Sequence, residues 1–401
     1  MCRHMSKTHH PRLKLRPGAH KRLKTGYPWV YSNEVDMDAA AKALPPGTVV
    51  TLSDAGGQLL ATAHFNPRTL ISARVLAFQP DVAIDETFVA ARLRSALKLR
   101  ERLFDRPYYR LIHAEADALP GLIIDRFGDA CVIQPNTAGM DTLADQIAAA
   151  LQDVVGARTV LLRGDNASRG LEGLEDQVRC IFGNVDGPVA VEENGATFFA
   201  DLMSGQKTGW FFDQRDNHAF MAALSRNATV LDLYTHTGGF AVPAARAGAS
   251  AVLGVDRSAP SLELAQRAAQ ANDIALNCIF ERAEVFPFLE AALARKAVWD
   301  VVIGDPPAFI KSKKDLNAGL QGYRKLARLC AGVTAPDGIL FMASCSHNAP
   351  LDEFTAAVAR GLADAGREGR IIRTAGAAPD HPVHPLLPES AYLKAVVLQL
   401  N

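Results

Sequence analysis

Several things that would narrow the reading are missing from this 401-residue chain. No apolar run is long enough to span a bilayer, and the charged N-terminus has no hydrophobic core of the kind a signal peptide requires. The expectation is a soluble, cytoplasmic protein with no membrane partner. The six cysteines (Cys2, Cys131, Cys180, Cys278, Cys330 and Cys345) form no C-x-x-C pair and no histidine spacing that suits zinc. No metal is expected, and the compartment should be reducing. No G-x-G-x-x-G fingerprint occurs, so the chain does not advertise a bound pyrophosphate. Nor is there an excess of one charge: Lys+Arg and Asp+Glu both number 43, which leaves no global field to attract a polyanion. Internal repeats are absent too.

What is present is an ordinary globular mixture, 48% hydrophobic and 21% charged, with ample material for a core. Its length suggests two or three domains. Charge is unevenly placed, since eight Lys/Arg and no acid precede Glu34 (Arg3, Lys7, Arg12, Lys14, Arg16, Lys21, Arg22 and Lys24). A basic segment of this kind is either a solvated tail or a nucleic-acid contact, and the aromatics of "GYPWVYSNEV" stand beside it. Residues 11–80 read as short strands broken by turns at Gly47, Gly56-Gly57 and Asn66-Pro67, which gives a β-rich module over 1–80. Residues 81–185 read as a mixed α+β middle domain. It opens with the helical spacing of "TFVAARLRSALKLRERLF", and "RLIHAEADALPGLIIDRFGDACVIQ" reads as two strands joined by the Leu119-Pro120-Gly121 turn.

From 186 to 401 strands alternate with helices, the mark of a parallel sheet. "ATVLDLY", "SAVLGVD", "LNCIFERAE", "WDVVIGD" and "GILFMAS" supply five strands, with Ser258 as the cap of one intervening helix. "GRIIRTAG" and "SAYLKAVVLQL" have no helix between them, which predicts an antiparallel hairpin closing the sheet. The first strand carries Asp232 and runs into Tyr234-Thr235-His236-Thr237-Gly238-Gly239, where glycine lets a ligand approach the backbone. Asp256 ends the second strand, where a carboxylate commonly meets ribose hydroxyls. Without a diphosphate motif, these residues point to a nucleoside-containing ligand such as S-adenosylmethionine, against the blander reading of an acid and two glycines in plain loops.

Asp305-Pro306-Pro307-Ala308-Phe309 follows the fourth strand. Two prolines make a rigid extended turn that can hold an acid and an aromatic ring against a flat base, or they simply end the strand. Lys311, Lys313 and Lys314 come next, suited to phosphate or to plain solvation. In "ILFMASCSHN" a thiol, Cys345, stands at the carboxyl end of a core strand, where open α/β sheets bind ligands. A thiol beside a methyl donor suits methylation at carbon 5 of a pyrimidine, because thiolate addition at carbon 6 makes carbon 5 enamine-like. Taken alone, Cys345 would be a core residue; with Asp305 next to it, catalysis is the stronger reading. The remaining five cysteines are read as structural.

These residues resemble a known family, the bacterial large-subunit ribosomal-RNA cytosine-5 methyltransferases that carry an N-terminal PUA domain. The similarity runs from about residue 12 to 401 and is strongest in "GQKTGWFFDQRDNH", "TGGFAV", "DPPAF", "SCS" and "DHPVHPLLPESAYLK", with weaker likeness in "PWVYSNEV" and "ADALPGLIIDRFGD". The resemblance implies a class I, Rossmann-like methyltransferase domain after a PUA domain and a middle domain, with ribosomal RNA as partner. It implies that Lys207, Phe212, Asp213 and Arg215 help form the donor pocket, that Asp232, Tyr234, Gly238, Gly239, Asp256 and Glu284 line it, and that Cys345 attacks with Asp305 at the base. Pro306, Pro307, Phe309, Lys311, Lys313 and Lys314 would meet the substrate. Two departures stand out: Glu284 replaces an expected Asp, and Ala308 occupies the place where many RNA cytosine-5 methyltransferases have a second cysteine. A related group that methylates guanine at nitrogen 7 shares the Gly-Gly and Asp-Pro-Pro elements but lacks the cysteine motif. Methylation of another base, or a non-catalytic RNA-binding factor, are the rival readings, and a homodimer is left open.

Overall fold

A computed structural model describes residues 9–401 and divides them into two compact units. Arg3 and Lys7 of the basic segment, and Cys2, lie outside the described residues. The first unit takes the chain up to Gly187 together with the segments Asp201–Trp210 and Asp380–Pro388; the second is Pro188–Ala200, Phe211–Pro379 and Glu389–Asn401.

Two five-stranded sheets build the first unit. In the first of them Thr48–Ser53, Leu59–Phe65 and Ile71–Ala77 form an antiparallel meander, with Arg12–Lys14 parallel to its first strand and Trp29–Tyr31 antiparallel to its last. In the second sheet Tyr108–His113, Leu122–Phe127 and Ala130–Pro135 run antiparallel, followed by Thr159–Gly164 and Gln177–Phe182. The stretch expected to hold two strands therefore holds three. A two-residue turn at Gly128-Asp129, with Gly128 at φ +67°, splits the second apolar run, and Phe127 pairs directly with Ala130. The long helix Glu86–Leu103 is capped by Asp85, whose side chain accepts from Phe88 N.

The second unit is organised by a seven-stranded sheet. Its strands, in chain order, are β1 (Thr229–Leu233), β2 (Ala251–Asp256), β3 (Cys278–Arg282), β4 (Trp299–Gly304), β5 (Thr334–Ser344), β6 (Gly369–Ala375) and β7 (Lys394–Leu400). They lie in the order β3-β2-β1-β4-β5-β7-β6. The first five are parallel, while β7 runs antiparallel to both β5 and β6, as the missing helix between the last two strands predicts. Helices cover both faces, so the central strands are buried on each side and read as continuous apolar runs instead of alternating ones. Val230, Val301, Ile303, Phe341 and Val397 belong to the core on one face. Leu231, Leu233, Val302, Leu340, Met342 and Val396 belong to the core on the other.

The helices follow as α1 (Arg215–Ala223), α2 (Ala241–Arg246), α3 (Ala259–Ala271), α4 (Val285–Ala294), α5 (Leu316–Val333) and α6 (Leu351–Asp364). Ser258 caps α3 by accepting from Ser261 N, as its position suggests. A hairpin, Val189–Glu193 with Ala196–Ala200, precedes α1 and has no counterpart in the sequence reading. Among the described residues no helix is long and apolar enough to cross a membrane, and no group of three or more His, Cys, Asp or Glu is placed to hold a metal.

Candidate functional site

A parallel sheet brings the carboxyl ends of β1 to β5 to one edge, and most of the candidate residues of the second unit lie there. The loop after β1 is held in an uncommon backbone form: Tyr234, His236 and Gly238 have φ of +62°, +50° and +86°. Left-handed conformations at non-glycine residues persist only where the surroundings enforce them, and they gather at binding loops. Two carboxylates do the enforcing. Asp232 is fully buried, and its Oδ2 accepts from Thr235 Oγ1 at 2.6 Å and from Ala241 N, the first residue of α2, at 3.0 Å. Its Oδ1 has no hydrogen-bond partner, and burial pushes its pKa up to about 7, opposed by Thr235 and His218. Asp256 at the end of β2 accepts from His236 N at 3.0 Å through Oδ2 and from Ser258 N at 2.8 Å through Oδ1. Each carboxylate oxygen has a further lone pair, so Asp256 can still receive hydroxyl donors.

Gly238 and Gly239 are glycines for different reasons. Gly238 needs its positive φ. A Cβ on Gly239 would lie 2.8 Å from Nε2 of His218. His218 is itself buried, with Nδ1 2.6 Å from Oε1 of Glu193, and its ring meets Phe240 edge-on. This dyad, joined by Arg215 with its Nε 3.6 Å from Glu193 Oε2, braces the loop from behind, and neither Glu193 nor His218 was singled out from sequence. Glu284 is exposed at the start of α4, and its side chain does not cap that helix.

The segment 212–217 reaches the reacting edge through residues that the sequence did and did not suggest. Phe212 is buried, and Arg215 lies over its ring at 5.6 Å. Asp213 receives the Tyr392 hydroxyl, and Tyr392 stacks on His347 at 5.1 Å. Gln214, a residue missed from sequence, donates from Nε2 to Asp305 Oδ2 at 2.8 Å and accepts from Asn217 at 2.7 Å, which fixes its orientation. Lys207, by contrast, is an exposed residue of the segment Asp201–Trp210, so it belongs to the first unit. The "GQKTGWFFDQRDNH" motif is continuous in sequence but crosses between the units at Trp210 and Phe211.

Asp305 follows β4 directly, and Cys345 follows the end of β5. Gly304 pairs with Met342, so the acid and the thiol stand one and three residues past the same rung of neighbouring strands. The Pro306-Pro307-Phe309 turn lies on α5, where Phe309 packs against Tyr323 at 4.8 Å. Close approach is possible because the helix carries Gly319 and Gly322 there: a Cβ at Gly319 would lie 2.2 Å from Ile310 Cγ1, and one at Gly322 3.0 Å from the Phe309 ring. Lys311, Lys313 and Lys314 are all exposed just beyond.

The hydroxyls flanking the half-buried Cys345 are structural pins. Tyr323, fully buried on α5, accepts from Ser344 Oγ at 2.8 Å and lies 3.0 Å from Ser346 Oγ, which also takes the Ile310 N–H at 3.2 Å. Lys394 on β7 donates from Nζ to the Ser346 carbonyl at 2.7 Å. The backbone on both sides of the thiol is thus fixed by two other elements. Three other cysteines are buried, which pushes Cys131 and Cys278 up to about 12 and raises Cys330 as well, as suits inert core thiols.

A second surface lies in the first unit. Arg12, Lys14, Arg16, Lys21, Arg22 and Lys24 are all exposed, and the Arg22 guanidinium stacks over Tyr27 at 4.0 Å. Ion pairs with Asp81 and Glu34 occupy Arg12 and Arg22.

Comparison with known proteins bears on both units. Residues 13–78 match the model of a PUA-like domain, and residues 178–397 match that of an S-adenosylmethionine-dependent methyltransferase. A solved methyltransferase crystallised with S-adenosylhomocysteine superposes with a TM-score of 0.82 at 22% identity, covering 97% of this chain and all of its own, which establishes a shared fold. Proteins named ribosomal RNA large subunit methyltransferase I are similar along nearly the whole length. The one from Pseudoalteromonas atlantica is 34% identical over 393 residues, covering 97% of this chain and 99% of its own. The one from Tolumonas auensis is 36% identical over 386 residues, covering 94% and 96%. The braced glycine loop and the acid at the end of β2 fit a nucleoside-bearing methyl donor, and with matches of this extent the chain belongs to the same family of S-adenosylmethionine-dependent methyltransferases as these relatives.

Proposed function

We propose that the protein methylates carbon 5 of a cytosine in large-subunit ribosomal RNA through a covalent adduct of Cys345. One observation carries the reading. The thiol sits at the carboxyl edge of the sheet on a backbone pinned by Tyr323 and Lys394, beside an acid that Gln214 orients. A merely packed cysteine needs no such fixing. The relatives' activity toward ribosomal RNA, carried over to this chain, supports the substrate class, as does the PUA-like match over the basic, aromatic surface.

In this reading, residues 1–80 form the PUA domain, 81–185 the middle domain and 186–401 the methyltransferase domain. Asp256 takes the ribose hydroxyls of the donor, and Tyr234, Gly238, Gly239 and Glu284 line its pocket. Asp232 acts from beneath, because its carboxylate is buried under the loop it supports. Phe212, Asp213 and Arg215 complete the donor pocket. When bound, the donor supplies an electrophilic methyl group on a sulfonium. Cys345 as thiolate adds to carbon 6, forming the S–C bond while ring nitrogen 3 takes a proton from water that Asp305 stabilises there. Carbon 5 then takes the methyl group as its bond to the donor sulfur breaks, loss of the carbon-5 proton to a base expels the thiolate, and ring nitrogen 3 returns its proton to water, which restores the ring. Pro306, Pro307 and Phe309 form the wall against which the displaced base is held, and Lys311, Lys313 and Lys314 meet the flanking phosphates.

The test uses methyl-labelled S-adenosylmethionine and unmodified ribosomal RNA, with bisulfite sequencing of the product. One protected cytosine is expected, lost in Cys345→Ala. Label on another base, or an active variant, would refute the chemistry.

A further inference from the structure

Lysine is an unexpected residue to find inside a core strand, yet Lys394 at the start of β7 is only 8% exposed. It pairs across the sheet with Ser344 and donates to the carbonyl of Ser346, so its side chain runs alongside the residue between them, Cys345. An ammonium has three protons to give, and the Ser346 carbonyl takes one. Burial pulls Lys394 below the usual ammonium range, and the Cys345 sulfur acts in the opposite direction, so the two groups feel one another. The Tyr323 hydroxyl from α5, raised mainly by burial, also feels the Cys345 sulfur, and Asp305 follows the neighbouring strand β4.

We propose that Lys394 is the positioning residue that keeps Cys345 in its anionic, attacking form, through its nearby ammonium and the carbonyl it anchors. The proposal rests on Cys345 being the nucleophile of the reading above. The thiol proton leaves to water, and the lysine keeps its own three. When the S–C bond forms, the sulfur loses its charge and the ammonium loses its partner. When the thiolate is expelled, that partner returns, so the lysine favours release as well as attack. A thiol moved from about 8.5 to about 7.5 gains roughly eightfold in thiolate at pH 7. The accompanying loss of nucleophilicity reduces this to about threefold.

The experiment is alkylation of the full-length protein by iodoacetamide from about pH 6 to 10, with Cys345 read from its own peptide by mass spectrometry. The wild-type midpoint should lie below the ordinary value of about 8.5. Lys394→Met should raise it by about one pH unit, Lys394→Arg should restore it, and retained S-adenosylmethionine binding reports that the variants are folded. A wild-type midpoint at or above the ordinary value overturns the proposal without any variant, and so does a folded Lys394→Met with an unmoved midpoint. If Cys345→Ala is inactive on RNA while that midpoint stays put, only the role of Lys394 falls. If Cys345→Ala still methylates, the nucleophile reading falls and takes this proposal with it.

Discussion

Replacing Gly319 with alanine should impair methylation far more than it impairs folding. The added Cβ would lie 2.2 Å from Ile310 Cγ1 and 3.0 Å from the Phe309 carbonyl oxygen. Ordinary carbon contacts are about 3.5–4.0 Å, so something must move by more than about 1 Å. Ile310 is 1% exposed and has nowhere to turn, and Phe309 already rests on Tyr323. The yielding part is therefore the turn that carries Pro306, Pro307 and Phe309 away from Asp305. On the stability side, alanine returns about 1 kcal/mol of helix propensity, while overpacking costs about 1–3 kcal/mol. The net loss of up to about 2 kcal/mol is small against a domain stability of about 5–15 kcal/mol. On the activity side, a misplacement of about 1 Å at a reacting geometry can cost about 100-fold. Gly322→Ala makes a milder approach, 3.0 Å to one ring carbon of Phe309, and should cost less. The assay pairs kcat/KM for RNA methylation with the urea midpoint of the same preparations. Wild-type kcat/KM in Gly319→Ala, or a loss no larger than that of Gly322→Ala, would refute the claim that the helix glycines set the position of this turn.

Three further outcomes follow from the geometry. His64 is buried, with neither ring nitrogen hydrogen-bonded, and burial lowers it from 6.5 to about 4; its neutral form therefore stabilises the fold fully above pH 6.5, and about 3 kcal/mol is lost as pH falls from 6.5 to 4. Urea midpoints across that window should flatten in His64→Leu, and an equally steep acid slope in the variant would assign the loss elsewhere. Gly239→Arg should abolish S-adenosylmethionine binding in calorimetry by displacing His218 from behind the loop, and unchanged affinity would reject that support. Replacing Lys311, Lys313 and Lys314 together with Ala should weaken RNA binding and reduce its salt slope by about 3, provided each contacts a phosphate; an unaltered slope would remove them from the interface.

The sheet of the second unit was legible because it is covered on both faces. "ATVLDLY" and "WDVVIGD" carry adjacent apolar residues instead of alternating ones because Leu231 and Val302 face one core while Val230 and Val301 face the other. Where a strand is half-exposed, that signal fades. Gln177–Phe182 leaves Val178 and Phe182 partly in solvent and alternates in no regular way, and the sequence reading passed over it. The third strand of the middle sheet was hidden by a turn of only two residues, Gly128-Asp129, too short to break an apolar run.

The candidate site divides along a similar line. Asp256, Asp305 and Cys345 are visible in sequence because topology alone sends strand ends to one edge, so a polar residue after an apolar run already has an address. Gln214, Tyr323 and Lys394 have no such address. Each arrives from a helix or from an antiparallel partner, and its meaning lies in the atom it touches: Asp305 Oδ2, the two serine hydroxyls and the Ser346 carbonyl. Of the three, Lys394 did leave a trace, a single cation within "YLKAVVLQL" where every neighbouring side chain but Gln399 is apolar. Burying an ammonium is costly unless it meets an acceptor or an opposite charge, so a lysine in that setting implies a partner even before the partner is known. Antiparallel pairing of β5 with β7 then makes the partner specific. With Ser344, the last residue of β5, opposite Lys394, the side chain can reach the residues that follow the strand, and the first of these is the thiol.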